Sequence, residues 1–379
     1  MSKIGRTTAI VLGVCALAMG FVAAPALAQP VQCDQTAKIP RPVPMGTSGG
    51  NINLFTVHHR SEECASGTLG AVVQDPISLY VLSNNHVIGL LNHAQFGDLV
   101  TEPGLVDKQC TQVAGDTVAF FNRSVKLLFA PRKLNTVDAS VAAVRVGFVD
   151  TNIKNIGPIA GTTVAPTLGL KVQKMGRTTC LTFGQITGVN INATVGYDKL
   201  SGKIRPANFI GQIMIQGDQN GGFGGPGDSG SLVVTQQACP QAVGLLFAGS
   251  QDGSILANPI NDVLNGLHVT MTAGCNEMTA GALMDVSSAN EGTPAAEPQG
   301  EVVSQGAVTS ATSVRDKHEA QLTSIPGTVG TGIGIGDQPG EAAIEVYVKK
   351  LTPEAQAAAP SILDGVPVRL VEKGEIVAF

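Results

Sequence analysis

The chain has little positive charge, few histidines and one long apolar run, and each shortage removes a class of function. With 24 Lys and Arg against 29 Asp and Glu it carries a formal charge of −5 at pH 7, the wrong balance for a nucleic-acid partner. Six histidines, no Cys-x-x-Cys pair and no His-Glu-x-x-His segment leave zinc with little support, and no cofactor is expected. The doublet His58–His59 reads as a strand or turn feature rather than a metal site. The long apolar run, Ala9 to Val22, follows Lys3 and Arg6 and precedes "APALA" ending at Ala28. That is the pattern of a secretory signal peptide removed after Ala28. The run is short for a membrane anchor, and Val14 before Cys15 is a poor residue for lipoprotein cleavage. A secreted chain, extracellular or periplasmic, is therefore expected. Removing 28 of 379 residues leaves 351, with a charge of −7 because only Lys3 and Arg6 are lost. That length makes two to three domains.

Six cysteines remain after residue 28: Cys33, Cys64, Cys110, Cys180, Cys239 and Cys275. Their even number in an exported chain points to disulfides, with all fifteen pairings open.

Segments long enough for a helix are scarce between Thr68 and about Thr270. Short apolar runs broken by Gly, Asn and Asp fill this stretch, an all-β pattern. Six strands are expected from "TLGAVV", "SLYVLSNN", "GDLVTEPG", "DTVAFF", "SVKLLFA" and "ASVAAVRV". Six more are expected from "LKVQKMG", "CLTFGQITGVNI", "NFIGQIMIQG", "GSLVVT", "AVGLLFAGS" and "SILANPI", followed by a short capped helix, "NDVLNGL". Residues 276–310 are poor in large apolar side chains and read as a linker. Residues 311–379 alternate helix-like and strand-like segments and are expected to form a small α/β module, near the lower size for independent folding.

The stretch "GGPGDSGSLVV", from Gly224, sets Ser229 among glycines just before a strand. A serine hydroxyl becomes a useful nucleophile only when a base takes its proton and a third group holds the base. His86 in "YVLSNNHVIG" stands where a polar cluster interrupts an apolar strand. Asp98, Asp116 and Asp138 are the candidate acids. Asp138, in "NTVDASVAAV", puts a carboxylate beside small residues at the mouth of an apolar strand, whereas Asp116 is placed to cap a hairpin turn.

His86 in "SNNHV", Asp138 in "VDAS" and Ser229 in "GDSGS" together resemble the trypsin-like, chymotrypsin-fold serine proteases, whose chain order is also His, Asp, Ser. The resemblance covers roughly residues 64 to 270, about half of the chain. "LSNNHV", "KMGRTT", "GDSGSLVV" and "VGLLFAGS…ANPI" look more like a bacterial branch with plant relatives. The resemblance implies two six-stranded antiparallel barrels over residues 29–275, with protein or peptide substrates. It implies Ser229 as nucleophile, His86 as general base and then acid, Asp138 as the group orienting His86, and the N–H groups of Gly227 and Ser229 as an oxyanion hole. It also puts Phe223 and Gly249 at the main substrate pocket, which is then expected to take a neutral, small or apolar residue, because a Lys or Arg side chain would need a paired carboxylate there. Two departures stand out. No Ile-Val-Gly-Gly stretch follows a basic residue, so activation by an inserted N-terminus is not expected, and no cysteines stand close on either side of His86. Two other readings compete: an α/β-hydrolase esterase using Asp262 and His268 after the serine, and a trypsin-fold binding protein without catalysis. The C-terminal module carries no triad of its own, His318 being a surface residue, and is expected to touch the protease domain and regulate it.

Overall fold

The computed structural model describes residues 37–58, 61–198, 204–218, 222–275 and 302–379. The expected signal peptide, Cys33, His59 and linker residues 276–301 lie outside the described residues.

The first barrel is a closed ring of six antiparallel strands. Thr47–Asn51 pairs with Gly67–Leu69, which continues past Gly70 into Ala71–Gln74 and so reaches Leu79–Ser83. Ser140–Val144, Thr117–Ser124 and Leu99–Thr101 follow, and the last of these returns to Thr47–Asn51. Five of the six arise from the expected apolar runs. "SVKLLFA" does not: after Ser124 the chain leaves the sheet, and its backbone is satisfied by amide side chains instead. Leu127 exchanges hydrogen bonds with Asn92, 2.8 Å to Oδ1 and 3.0 Å from Nδ2, and Leu128 does the same with Asn135. The sixth strand is "TSGGN", which has no large apolar side chain yet is buried throughout. Leu69 fills the space that a side chain on Gly49 would need, since a Cβ there would lie 2.5 Å from Leu69 Cγ.

In the second barrel all six expected runs form strands. Lys171–Gly176, Cys180–Asp198, Ile204–Gly217, Ile255–Pro259, Ala242–Ser250 and Leu232–Thr235 pair in that order, and the last closes on the first. Val172, Ile186, Ile213, Val233, Leu246 and Ile255 fill its centre. The expected helix is Ile260–Leu267. Antiparallel barrels without a helix-covered parallel sheet rule out the α/β-hydrolase architecture.

The hairpin Cys180–Gly217 overruns the barrel wall, and its first strand pairs antiparallel with Thr328–Ile335. Residues beyond 301 thereby extend the same sheet. They comprise the helix Gln305–Thr323 and strands Thr328–Ile335, Ala342–Val348 and Val366–Glu372, with a second helix, Pro353–Ala358. The first helix starts inside the stretch expected to be linker. Ser304 Oγ caps it by accepting from Ala307 N, and Val308 and Ala311 are buried, anchors too widely diluted by Ser, Thr and Gly to stand out.

Cys64–Cys110 and Cys239–Cys275 are disulfide-bonded, which accords with an oxidising compartment. Thiol titration of the denatured, unreduced protein is expected to leave all four unreactive, and reaction of these four would remove that compartment. Loss of either bridge is expected to cost about 2–5 kcal/mol. Among the described residues no helix is long and apolar enough to cross a membrane.

Candidate active site at the barrel junction

His86 comes off the end of the strand Leu79–Ser83, in a one-turn helix, Asn85–Ile88. Asp138 lies just before the strand Ser140–Val144, antiparallel to that one. Two strands of the first barrel thus bring together residues 52 positions apart. His86 Nδ1 lies 2.6 Å from Asp138 Oδ2, and the His86 backbone N donates to Oδ1 at 3.1 Å. The carboxylate is fully buried and is held from several sides. Asn84 Nδ2 donates to the Asp138 carbonyl at 2.7 Å. Asn258 Oδ1, from the second barrel, accepts from the Asp138 N at 3.0 Å. Tyr197 donates its hydroxyl to Oδ2 at 2.8 Å. Burial, and then the Asp138 charge, push the Tyr197 phenol well above its ordinary range, so it remains a donor.

The other candidate acids face elsewhere. Asp116 is paired with Lys38 at 2.6 Å and Lys108 at 3.2 Å. Asp98 accepts from Asn51 and Gln95. His318 pairs with Asp364 in the C-terminal module.

Ser229 sits in the turn before the strand Leu232–Thr235, and its carbonyl accepts from Thr68 N of the first barrel at 2.8 Å. Its Oγ donates to the Phe247 carbonyl at 3.4 Å, a long contact. Gly227 has φ +99°, a conformation that glycine adopts at little cost and side-chain-bearing residues rarely adopt, and its carbonyl is fixed by Thr68 Oγ1 at 3.0 Å. Phe223 is fully buried in the second barrel's core cluster. Gly249 lies in the strand Ala242–Ser250.

Between Gly227 and Ser229 the Asp228 side chain turns inward and is fully buried. It accepts from Thr178 N, Thr179 Oγ1 and Gly225 N at 2.7, 2.7 and 3.0 Å. Lys174, equally buried, brings its Nζ to 3.6 Å. This pair ties the serine turn to "KMGRTT", and sequence reasoning passed over it. The available signal was a lysine inside an apolar strand, alternating with Val172 and Gly176 on the inward face. Burial pushes Lys174 from its ordinary value near 10.5 down to about 8. Between these pH values the unfolded chain holds more protons than the folded one, so folding stability contributed by this group rises with pH across that window. Lys174→Met is expected to cost about 3 kcal/mol at neutral pH by stranding Asp228. In urea melts, the parent's margin over the variant is expected to widen from pH 8 to about 10.5; a pH-independent margin would refute the assignment.

Two closed six-stranded antiparallel barrels, with serine, histidine and aspartate at their junction, define the chymotrypsin-type fold. Solved structures similar to this chain include bacterial serine proteases of that fold. One is a glutamic acid specific serine protease described as using a novel histidine triad in substrate binding, at 16% identity, covering 61% of this chain and 100% of that one, with a TM-score of 0.40. Another is Thermobifida fusca protease A, at 18% identity, covering 60% and 98%, with a TM-score of 0.38. A Nocardiopsis protease matches at 18% identity over 59% and 98%, with a TM-score of 0.38. No family model and no curated protein matches the chain.

Proposed function

We propose that the chain is an exported serine endopeptidase. The observation that carries this reading is the buried Asp138 carboxylate 2.6 Å from His86 Nδ1, held by donors from both barrels on the side of the ring away from Nε2. A carboxylate so placed fixes the imidazole with its Nδ1 proton inward and turns Nε2 toward the cleft. Ser229 Oγ then attacks the scissile carbonyl while Nε2 accepts its proton. The carbonyl π electrons move onto oxygen, where the N–H groups of Gly227 and Ser229 stabilise the charge, each donor being worth roughly 3–4 kcal/mol. Collapse expels the amine, which takes the proton from His86, and water repeats the sequence on the acyl-enzyme.

Export is supported by the apolar run at residues 9–22 with its small-residue ending and by the two disulfides. The test is covalent labelling by a fluorophosphonate, located by peptide mapping, alongside turnover of fluorescent casein. Label on Ser229 with casein cleavage is expected. A folded chain that takes no label and cleaves nothing, with residues 376–379 present or removed, would leave a trypsin-fold binding protein.

A further inference from the structure

Residues 373–379 leave the C-terminal module and cross the face of the second barrel. Lys373 is buried, and its Nζ donates to Asp252 Oδ2 and Ser254 Oγ at 2.7 Å each. Its carbonyl accepts from Gln251 N at 3.0 Å. From this anchor the strand Ile376–Ala378 runs antiparallel to Ala242–Ser250, in the register Ser250↔Ile376, Gly249↔Val377, Ala248↔Ala378. On its other side Val377 bridges Gly196. The next position sets Phe379 beside Phe247, the residue whose carbonyl takes the Ser229 hydroxyl. The Phe379 carbonyl oxygen lies 2.9 Å from His86 Nε2. Its ring lies directly over Gly249, where a Cβ would fall 2.0 Å from Cζ.

Chain direction, edge pairing and a side chain seated on a glycine are together what the acyl half of a peptide substrate would present, and the oxygen at His86 Nε2 blocks the base. We infer that Ile376–Phe379 is an intramolecular occupant of the substrate cleft, and that the subsite over Gly249, which it fills with a phenyl ring, takes an aromatic residue immediately before the scissile bond. The inference rests on the function proposed above. Three further observations agree with it. Phe379 packs against the core cluster containing Phe223, Leu246 and Ile255, an uncharged floor suited to a ring. The Phe379 backbone oxygen lies 2.9 Å from His86 Nε2, the nitrogen that the mechanism needs for the serine proton, so in this arrangement that nitrogen is already engaged. Ser229 itself has no exposed surface. Strand pairing supplies the contact, and tethering supplies an effective concentration in the millimolar range.

The test uses a fluorescein-labelled Ile-Val-Ala-Phe peptide and peptide anilides ending in Phe, Ala, Arg or Glu. Each is measured on the full chain, on a chain lacking residues 376–379, and on full-length Val377→Pro, which breaks the edge pairing without shortening the chain. In a Ser229→Ala background the labelled peptide is expected to bind either altered chain at least about 10-fold more tightly than the unaltered one. With Ser229 present, kcat/KM on the Phe anilide is expected to rise by a similar factor and to exceed Arg and Glu at least about 10-fold. Gly249→Val in the shortened chain is expected to shift the preference from Phe toward Ala. Equal peptide binding by unaltered and altered chains, or a preference for Arg or Glu, overturns the inference. Because binding is read without Ser229, the two failures separate. Peptide binding released by either alteration, with no hydrolysis by any chain, keeps the occupant and sinks the protease. Hydrolysis at an unchanged rate sinks the occupant and keeps the protease.

Discussion

Ser229→Ala is expected to lower kcat/KM on a peptide substrate by at least about 10⁴-fold, compared in one background, while leaving the fold intact. The two halves of that expectation have separate causes. Catalytically the hydroxyl is the atom that forms the acyl bond, and no neighbour replaces it; what remains is the contribution of the Gly227 and Ser229 N–H groups. Structurally the hydroxyl does little. Its one hydrogen bond among the described residues, to the Phe247 carbonyl, is long at 3.4 Å. The turn is held instead by the Ser229 carbonyl on Thr68 N and by the Asp228 carboxylate on Thr178, Thr179 and Gly225. The urea midpoint of the variant should therefore correspond to a change within about 1 kcal/mol. A variant that folds and keeps its rate would remove Ser229 from the chemistry.

How much of this was legible in the chain depended on where the determining contact sits. The second barrel is made of strands whose side chains fill its own centre, so each run carries its apolar signature, and all six were visible. The first barrel failed at one strand for a physical reason. "TSGGN" is buried because Leu69 reaches into the space that Gly49 leaves open, and a strand buried by its partner's side chain has no pattern of its own. "SVKLLFA" erred the other way: its apolar residues face a core, but Asn92 and Asn135 supply its backbone partners, and nothing local distinguishes that from a strand. His86, Asp138 and Ser229 could be picked out as candidates because a polar cluster ending an apolar strand, a carboxylate at the mouth of one and a serine in a glycine-rich turn each stand out locally. Tyr197 and Asn258, which hold Asp138, could not. Each sits in an ordinary strand and matters only through a contact across the barrel junction. Phe379 lies 293 positions from His86, and its meaning depends entirely on the path of the strand Ile376–Ala378.

Asp138→Asn is expected to cost on the order of 10⁴-fold in kcat, and Asp116→Asn to be nearly silent for chemistry. An asparagine can keep the shape of the site, yet it presents either an NH₂ or a carbonyl to His86 Nδ1. The surroundings decide which. Oδ1 of Asp138 accepts from the His86 backbone N at 3.1 Å, and Oδ2 accepts from Tyr197 at 2.8 Å as well as facing Nδ1. Every partner is a donor, so an NH₂ in either position meets a donor and loses a hydrogen bond. If the NH₂ faces Nδ1, the imidazole carries its proton on Nε2 and has no lone pair for Ser229. If it faces the backbone N, the tautomer survives but the ring loses the charge that stabilises it once protonated. Tyr197→Phe separates these effects, because it removes one donor to Asp138 and leaves the carboxylate. Its expected loss is smaller, about 10-fold or somewhat more, in line with one hydrogen bond to a charged group at roughly 1.5–3 kcal/mol. Asp116 offers the contrast: its carboxylate is taken by Lys38 and Lys108, so Asp116→Asn should lower stability modestly and leave kcat within about twofold. If Asp116→Asn abolished turnover while Asp138→Asn did not, His86 would have to turn to a different acid in the working enzyme.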